Sequence, residues 1–188
     1  MEKFENLVEV QTHSQEIFDG AVLHVFKDTV TLPNGMPATR EVIRHVGAVA
    51  IVPLTEDGKV IIERQFRYPL NRVVTEIPAG KLDCPTEDRL SAAKRELEEE
   101  TGYTAQDWVS LGDYYPVAAY SDERITIYLA RGLQLGQRNL DEDEFLNFEA
   151  IPLDQLVEDV MAGHITDGKT QVAILKVARL LGKLSFQR

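Results

Sequence analysis

Between Arg95 and Tyr103 the chain reads RELEEETGY, with four glutamates in five residues and a glycine shortly after them. On a helix, Glu96, Glu99 and Glu100 stand at i, i+3 and i+4 and project from nearly the same face. Like charges at that spacing repel, so the segment is either a solvated helix face or a carboxylate cluster that receives a cation. Hard oxygen ligands suit Mg²⁺ or Mn²⁺, which are held by one or two carboxylates, by waters and by the phosphates of a substrate. A second acidic stretch, LDEDEF at residues 140–145, reads by itself as a solvated turn. The four histidines, His13, His24, His45 and His164, have no metal-ligand spacing, and the single cysteine, Cys84, has no internal disulfide partner.

Composition narrows what such a cluster could serve. The chain has 188 residues, 44% of them hydrophobic, which is enough for the core of one domain. A formal net charge of -11 leaves no basic stripe for a nucleic-acid backbone, so none is expected as a partner, and phosphates would need metal ions to neutralise them. No run reaches the roughly 18 apolar residues of a membrane span, and MEKFENLVEV lacks the order of a secretion signal. A soluble, cytoplasmic protein with no membrane partner is expected.

The elements that must position these residues are legible in outline. Residues 7–18, 21–32, 39–54 and 60–68 are rich in Val and Ile and read as strands, with Asn34-Gly35 and Asp57-Gly58 as hairpin signals between them. HVGAVAIVPL is apolar on both faces, as a central strand should be. A helix is expected over residues 86–101, with Thr86 as N-cap, Glu87 and Asp88 in its first turn, Ala92, Ala93 and Leu97 as its apolar stripe and Gly102 as its stop. Strands follow in WVSLGDYYPV, RITIYLARGL and FLNFEAI. Two helices close the chain, one from Leu153 and one over TQVAILKVARLLGKL with Val172, Leu175, Val177 and Leu180 at helical spacing. That order reads as an α/β chain with a mixed sheet between helices.

Gly80, Glu87 and then Arg95-Glu96-Leu97-Glu98-Glu99-Glu100-Thr101-Gly102-Tyr103 together resemble the Nudix box. Every fixed residue of that pattern is present, and the loop KLDCPT between Gly80 and Glu87 is one residue longer than in the family. SQEIFDG, LPNG, ERQFRYP, EIPAGKL, YSDERI, DEDEF and ITDGKT extend the likeness over nearly the whole chain, which resembles bacterial ADP-ribose pyrophosphatases of the Nudix superfamily.

The resemblance implies a Nudix-type α/β/α sandwich with a mixed sheet, preceded by N-terminal antiparallel strands. Residues 1–45 would be a dimerisation segment and residues 46–188 the Nudix hydrolase domain, in an intertwined homodimer. It implies hydrolysis of the diphosphate of ADP-ribose or a related nucleoside diphosphate sugar, with Mg²⁺ or Mn²⁺. Glu96, Glu99, Glu100 and the Ala79 carbonyl would bind metal, joined by Glu144, and Glu142 would be the base that deprotonates water. Arg95 would pair with Glu87 and hold the loop against the helix. Arg67, Arg40, Glu76 and Glu123 would contact the substrate, Arg40 coming from the second subunit. Phe18 would stack on the base, where an ordinary core phenylalanine is the competing reading.

One departure bears on substrate. Where the family's ADP-ribose enzymes carry a proline sixteen residues beyond the box glycine, this chain has Ala118. GDP-mannose, another nucleotide sugar or a dinucleotide is the alternative substrate. A non-catalytic sensor is the remaining reading, but such a domain would be expected to lose box carboxylates that are present here. Cys84 reads as a bystander, and Trp108 as packing.

Overall fold

The structure is a computed structural model that describes residues 2–136 and 147–184. Its first strands, β1 (Val10–Asp19), β2 (His24–Thr31) and β3 (Pro37–Arg44), form an antiparallel sheet in that order. The expected Asn-Gly turn joins β2 to β3: Gly35 takes φ 81°, and its N–H donates to Leu32 O at 2.8 Å. β1 is exposed along all ten of its residues.

Residues 39–54, expected as one strand, are broken in two. β3 ends at Arg44, and β4 (Ala48–Pro53) begins in a different sheet. Gly47 sits at the break with φ 101°, a conformation that side chains rarely adopt, and a Cβ there would press on the Arg89 guanidinium. The expected hairpin at Asp57-Gly58 is also corrected. Gly58 does make a tight turn, with φ 79°, and Thr55 N–H donates to Lys59 O at 2.8 Å. Yet only the bridge between Leu54 and Val60 follows, and β4 and β5 (Lys59–Arg67) diverge into separate sheets.

The mixed sheet runs β7-β4-β9-β8, with β7 (Ala79–Lys81) antiparallel to β4, β4 parallel to β9 (Ile125–Leu135), and β9 antiparallel to β8 (Tyr103–Tyr114). A second sheet, antiparallel throughout, runs β10 (Asn147–Pro152), β5, β6 (Arg72–Glu76). β6 and β7, at five and three residues, are too short to show a period of their own.

All six residues of β4 are buried, as its two apolar faces required. Val49 and Ile51 pack with Ala92, Ala93 and Leu97 of α1 (Arg89–Thr101). Ala48, Ala50 and Val52 face the opposite layer, built by α2 (Leu153–Met161) and α3 (Gly168–Leu180). This is the expected α/β/α arrangement. Trp108 packs as expected, edge-on to Tyr128 with its Nε1 donating to Ala105 O at 3.1 Å.

Three helix details differ from expectation. The N-cap of α1 is Asp88, which accepts from Ser91 N at 2.9 Å, so Thr86 and Glu87 precede the helix and its first turn carries no acid. A carboxylate caps as well as a hydroxyl, and residues 86–88 offered both. α3 begins two residues before Thr170, with Asp167 as its cap. Its buried face is Thr170, Ala173, Ile174, Val177 and Ala178, whereas Leu180 is 57% exposed. Among the described residues, no helix is long and apolar enough to cross a membrane.

Candidate active site

α1 ends as the sequence implies, with Gly102 at φ 74° and its N–H donating to Glu98 O at 2.8 Å. Its acids are therefore gathered at the negative end of the helix dipole, where carboxylates are unfavourable. Two tethers fix where this helix lies. At its start, Arg89 Nη1 donates to Ala48 O and Arg124 O, each at 3.2 Å, and to Thr126 Oγ1 at 3.3 Å. Farther along, Leu97 is fully buried against the sheet. Burying a leucine contributes about 2 kcal/mol.

On this helix Glu100 is buried, Glu96 and Glu99 are half-buried and Glu98 faces solvent. β7 lies across them. A Cβ built on Gly80 would fall inside the Glu96 carboxylate, so only glycine lets the strand come this close. Ala79, Gly80, Glu96, Glu99 and Glu100 line one cavity of about 610 Å³ together with Arg67.

Arg95 does what was expected of it and more. Its Nη2 reaches Glu87 Oε1 at 3.5 Å and donates to Lys81 O at 3.3 Å, which holds the loop against the helix. Nη1 donates to Glu96 Oε1 at 2.8 Å and to Glu99 Oε2 at 3.0 Å. Burial opposes charge on this guanidinium, but Glu96, Glu99 and Asp83 overcome that and push its pKa above the usual arginine value. A cation thus already bridges two of the crowded acids.

Among the described residues, no three His, Cys, Asp or Glu side chains form a ready metal cage. The donor set nevertheless fits a hard divalent cation. Every candidate donor is an oxygen, and such ions complete their shells with water and phosphate rather than with a full protein cage. Glu142 and Glu144 lie outside the described residues.

The remaining expected residues are distributed as follows. Arg67 lines the cavity and makes a two-pronged pair with Glu76, Nε to Oε1 and Nη2 to Oε2, both at 2.7 Å. Glu76 stands behind Arg67 and is not among the cavity's lining residues; it is 2% exposed and also takes Lys169 Nζ. Burial alone would raise its carboxyl, but the hydrogen bonds from Arg67 and the charge of Lys169 outweigh it and hold the pKa at about 2. Phe18 and Arg40 sit on the N-terminal sheet and are not cavity-lining residues. Phe18 is exposed, its ring folded over Gly20, so it is not a core phenylalanine. Arg40 pairs with Glu9, its Nε donating at 2.9 Å. Glu123 lies in the loop before β9, its N–H donating to Ser121 Oγ at 3.2 Å, and is likewise not a lining residue.

Sequence reasoning missed Val22, Gln65, Lys81 and Asp83, which line the cavity, and Lys169 behind it. Gln65 was within reach, since it shares a face of β5 with Arg67 by the two-residue strand period. Val22 was not, because a loop valine carries no signal.

An acidic helix thus lies under a glycine strand in an α/β/α sandwich, with oxygen donors of the kind a hard divalent cation takes. The NUDIX domain model matches residues 44–170, and the chain belongs to the NUDIX family of hydrolases. It is 40% identical over 171 residues to the ADP-ribose pyrophosphatase of Bacillus subtilis (strain 168), covering 90% of this chain and 92% of that one. It is 39% identical to the methanol dehydrogenase activator of Bacillus methanolicus, over 86% of this chain and 88% of that one. A third relative, the ADP-ribose pyrophosphatase of Mycobacterium tuberculosis (strain ATCC 25618 / H37Rv), is 34% identical over 87% of this chain and 80% of that one. The fold matches a crystal structure of an ADP compounds hydrolase with a TM-score of 0.82, at 23% identity, covering 94% of this chain and 97% of that one.

Proposed function

We propose that this chain hydrolyses the diphosphate bond of ADP-ribose or a related nucleoside diphosphate sugar, releasing AMP and ribose 5-phosphate from ADP-ribose. The observation that carries this reading is the gathering of Glu96, Glu99, Glu100, Ala79, Gly80 and Arg67 around one cavity. The relatives named for ADP-ribose pyrophosphatase activity support the choice of substrate.

Mg²⁺ or Mn²⁺ held by the Ala79 carbonyl, Glu96, Glu99, Glu100 and Glu144 would supply charge neutralisation on phosphate and a more acidic water. Arg67 binds the diphosphate, for which a guanidinium is well shaped. Glu76 orients Arg67 and with Glu123 supports the polar contacts of the substrate. Glu142 accepts the proton of the attacking water. Phe18 and Arg40 receive the base, Arg40 delivered by a second copy of the chain.

That second copy docks through residues 1–45, where β1 exposes Val10, Ile17 and Phe18 to solvent. Apolar side chains along an open strand are suited to a homodimer interface. The single cysteine, which has no internal disulfide partner, agrees with a cytoplasmic enzyme.

The test is to incubate purified protein with ADP-ribose and Mg²⁺ and assay AMP. No AMP from the wild type, or wild-type turnover by Glu96→Gln, overturns the reading. Ala118, in place of the expected proline, favours a second reading in which GDP-mannose, another nucleotide sugar or a dinucleotide is preferred. Ranking a panel of these by kcat/KM separates the two.

A further inference from the structure

Arg67 does not reach the cavity as a free side chain. The fork to Glu76 uses Nε and Nη2, and among the described residues Nη1 has no acceptor, although Arg67 lines the cavity. The direction of that unused edge therefore depends on where Glu76 is held.

Glu76 is in a demanding position. Its register partner on β5 is Glu63, and the two acids are 2% and 1% exposed. Like charges opposite one another on neighbouring strands repel. The second donor to Glu76 is Lys169, from the first turn of α3 and 93 residues away, which is itself only 8% exposed. Its ammonium also lies 3.2 Å from Asp167 Oδ2. That carboxylate caps α3, accepting from Thr170 N at 2.9 Å and Thr170 Oγ1 at 2.6 Å, while Thr170 Oγ1 accepts from Ile77 N at 3.0 Å. The start of α3 is thereby pinned to the chain at Glu76 and Ile77, three residues before Gly80.

A buried ion pair is weak evidence for stability, so this arrangement is better judged by the geometry it imposes. A second cavity, of about 490 Å³, adjoins the pair and is lined by Arg67, Arg72, Glu76, Thr166 and Lys169. Without the lysine, the Glu76 carboxylate could rotate and the guanidinium would have room to turn into that space.

We infer that Lys169 is a positioning residue: acting through Glu76, it fixes the plane of the Arg67 guanidinium so that Nη1 faces the diphosphate of the substrate. This rests on the proposed reading of the first cavity as a diphosphate site.

The experiment compares wild type, Lys169→Met, Lys169→Arg, Arg67→Ala and the double variant Lys169→Met/Arg67→Ala. Affinity for ADP-ribose is measured by calorimetry in EDTA, where nothing is turned over, and kcat and KM are measured with Mg²⁺. Lys169→Met should weaken binding about tenfold, the scale of one charge-assisted hydrogen bond. Its kcat should stay within about threefold, because the loss lies in binding. Lys169→Arg should restore most of the affinity, and Lys169→Met should add nothing once Arg67 is alanine. The crystal structure of Lys169→Met should show Arg67 turned out of its fork with Glu76. Equal losses in both backgrounds, a loss confined to Tm, or an unmoved Arg67 overturns the inference. Should the wild type neither bind nor cleave a nucleoside diphosphate, the functional reading fails, while the position of Arg67 in the variant crystal still decides whether Lys169 positions it.

Discussion

The Glu96 carboxylate occupies the space in which a β-carbon on Gly80 would stand. Gly80 is not among the glycines with positive φ, so this position needs glycine for room and not for backbone freedom. The contact joins the three-residue strand β7 to the acidic helix at the cavity.

Gly80→Ala should therefore disable the site with little harm to the fold. The atoms that must yield are the end of a flexible side chain, so Tm should stay near that of wild type. Displacing Glu96 by about an ångström should lower kcat/KM about a hundredfold. Thermal denaturation and AMP release measured on one preparation check both halves.

Glu96→Gln and Glu100→Gln each remove a charge from the cluster while keeping its shape. Each should lower kcat by at least about a hundredfold and weaken Mg²⁺ binding, read by activity and by metal titration calorimetry. Glu98→Gln, on the solvent side of the same helix, should change neither.

Glu76 ties stability to pH. Its folded pKa of about 2 lies below its usual 4.5, so the folded state favours the ionised carboxylate. The stability this contributes is present above pH 4.5 and is lost as pH falls from 4.5 toward 2. Glu76→Gln should be less stable than wild type near neutral pH, and the gap should close through that acid window. Urea denaturation across the window checks the sign.

Leu97 is the apolar anchor of the acidic helix, with no exposed surface. Leu97→Ala should cost about 2–5 kcal/mol in denaturant unfolding. Activity should fall as well, because Glu96 and Glu100 flank that side chain on the helix.

For the dimer, Val10 and Ile17 on β1 are 58% and 55% exposed in a single chain. Val10→Lys combined with Ile17→Lys should halve the mass seen by sedimentation if β1 meets a second copy. Unchanged mass would remove residues 1–45 as the interface.

Much of the carboxylate cluster was legible in the sequence because it is a local matter. The 3.6-residue helical period puts Glu96, Glu99 and Glu100 on one side, and Gly102 ends the helix whatever surrounds it. The two apolar faces of β4 likewise announced a strand covered on both sides. The cap of α1 was misplaced because Thr86, Glu87 and Asp88 are neighbours with similar capping chemistry, and only the bond to Ser91 distinguishes them. The buried face of α3 was misjudged because its alanines and Thr170 count as weak signals beside Leu180.

Local spacing thus determined which carboxylates could act together. Tertiary structure decided what they act with: Gly80 beneath Glu96, Gln65 and Val22 along the cavity wall, and Lys169 behind Arg67 through Glu76. Those relationships arise from register between strands and from the docking of α3 on a strand end 93 residues earlier. Helical and strand periods govern neighbours along the chain, whereas contacts between distant segments are chosen only when apolar faces and buried charges are satisfied together.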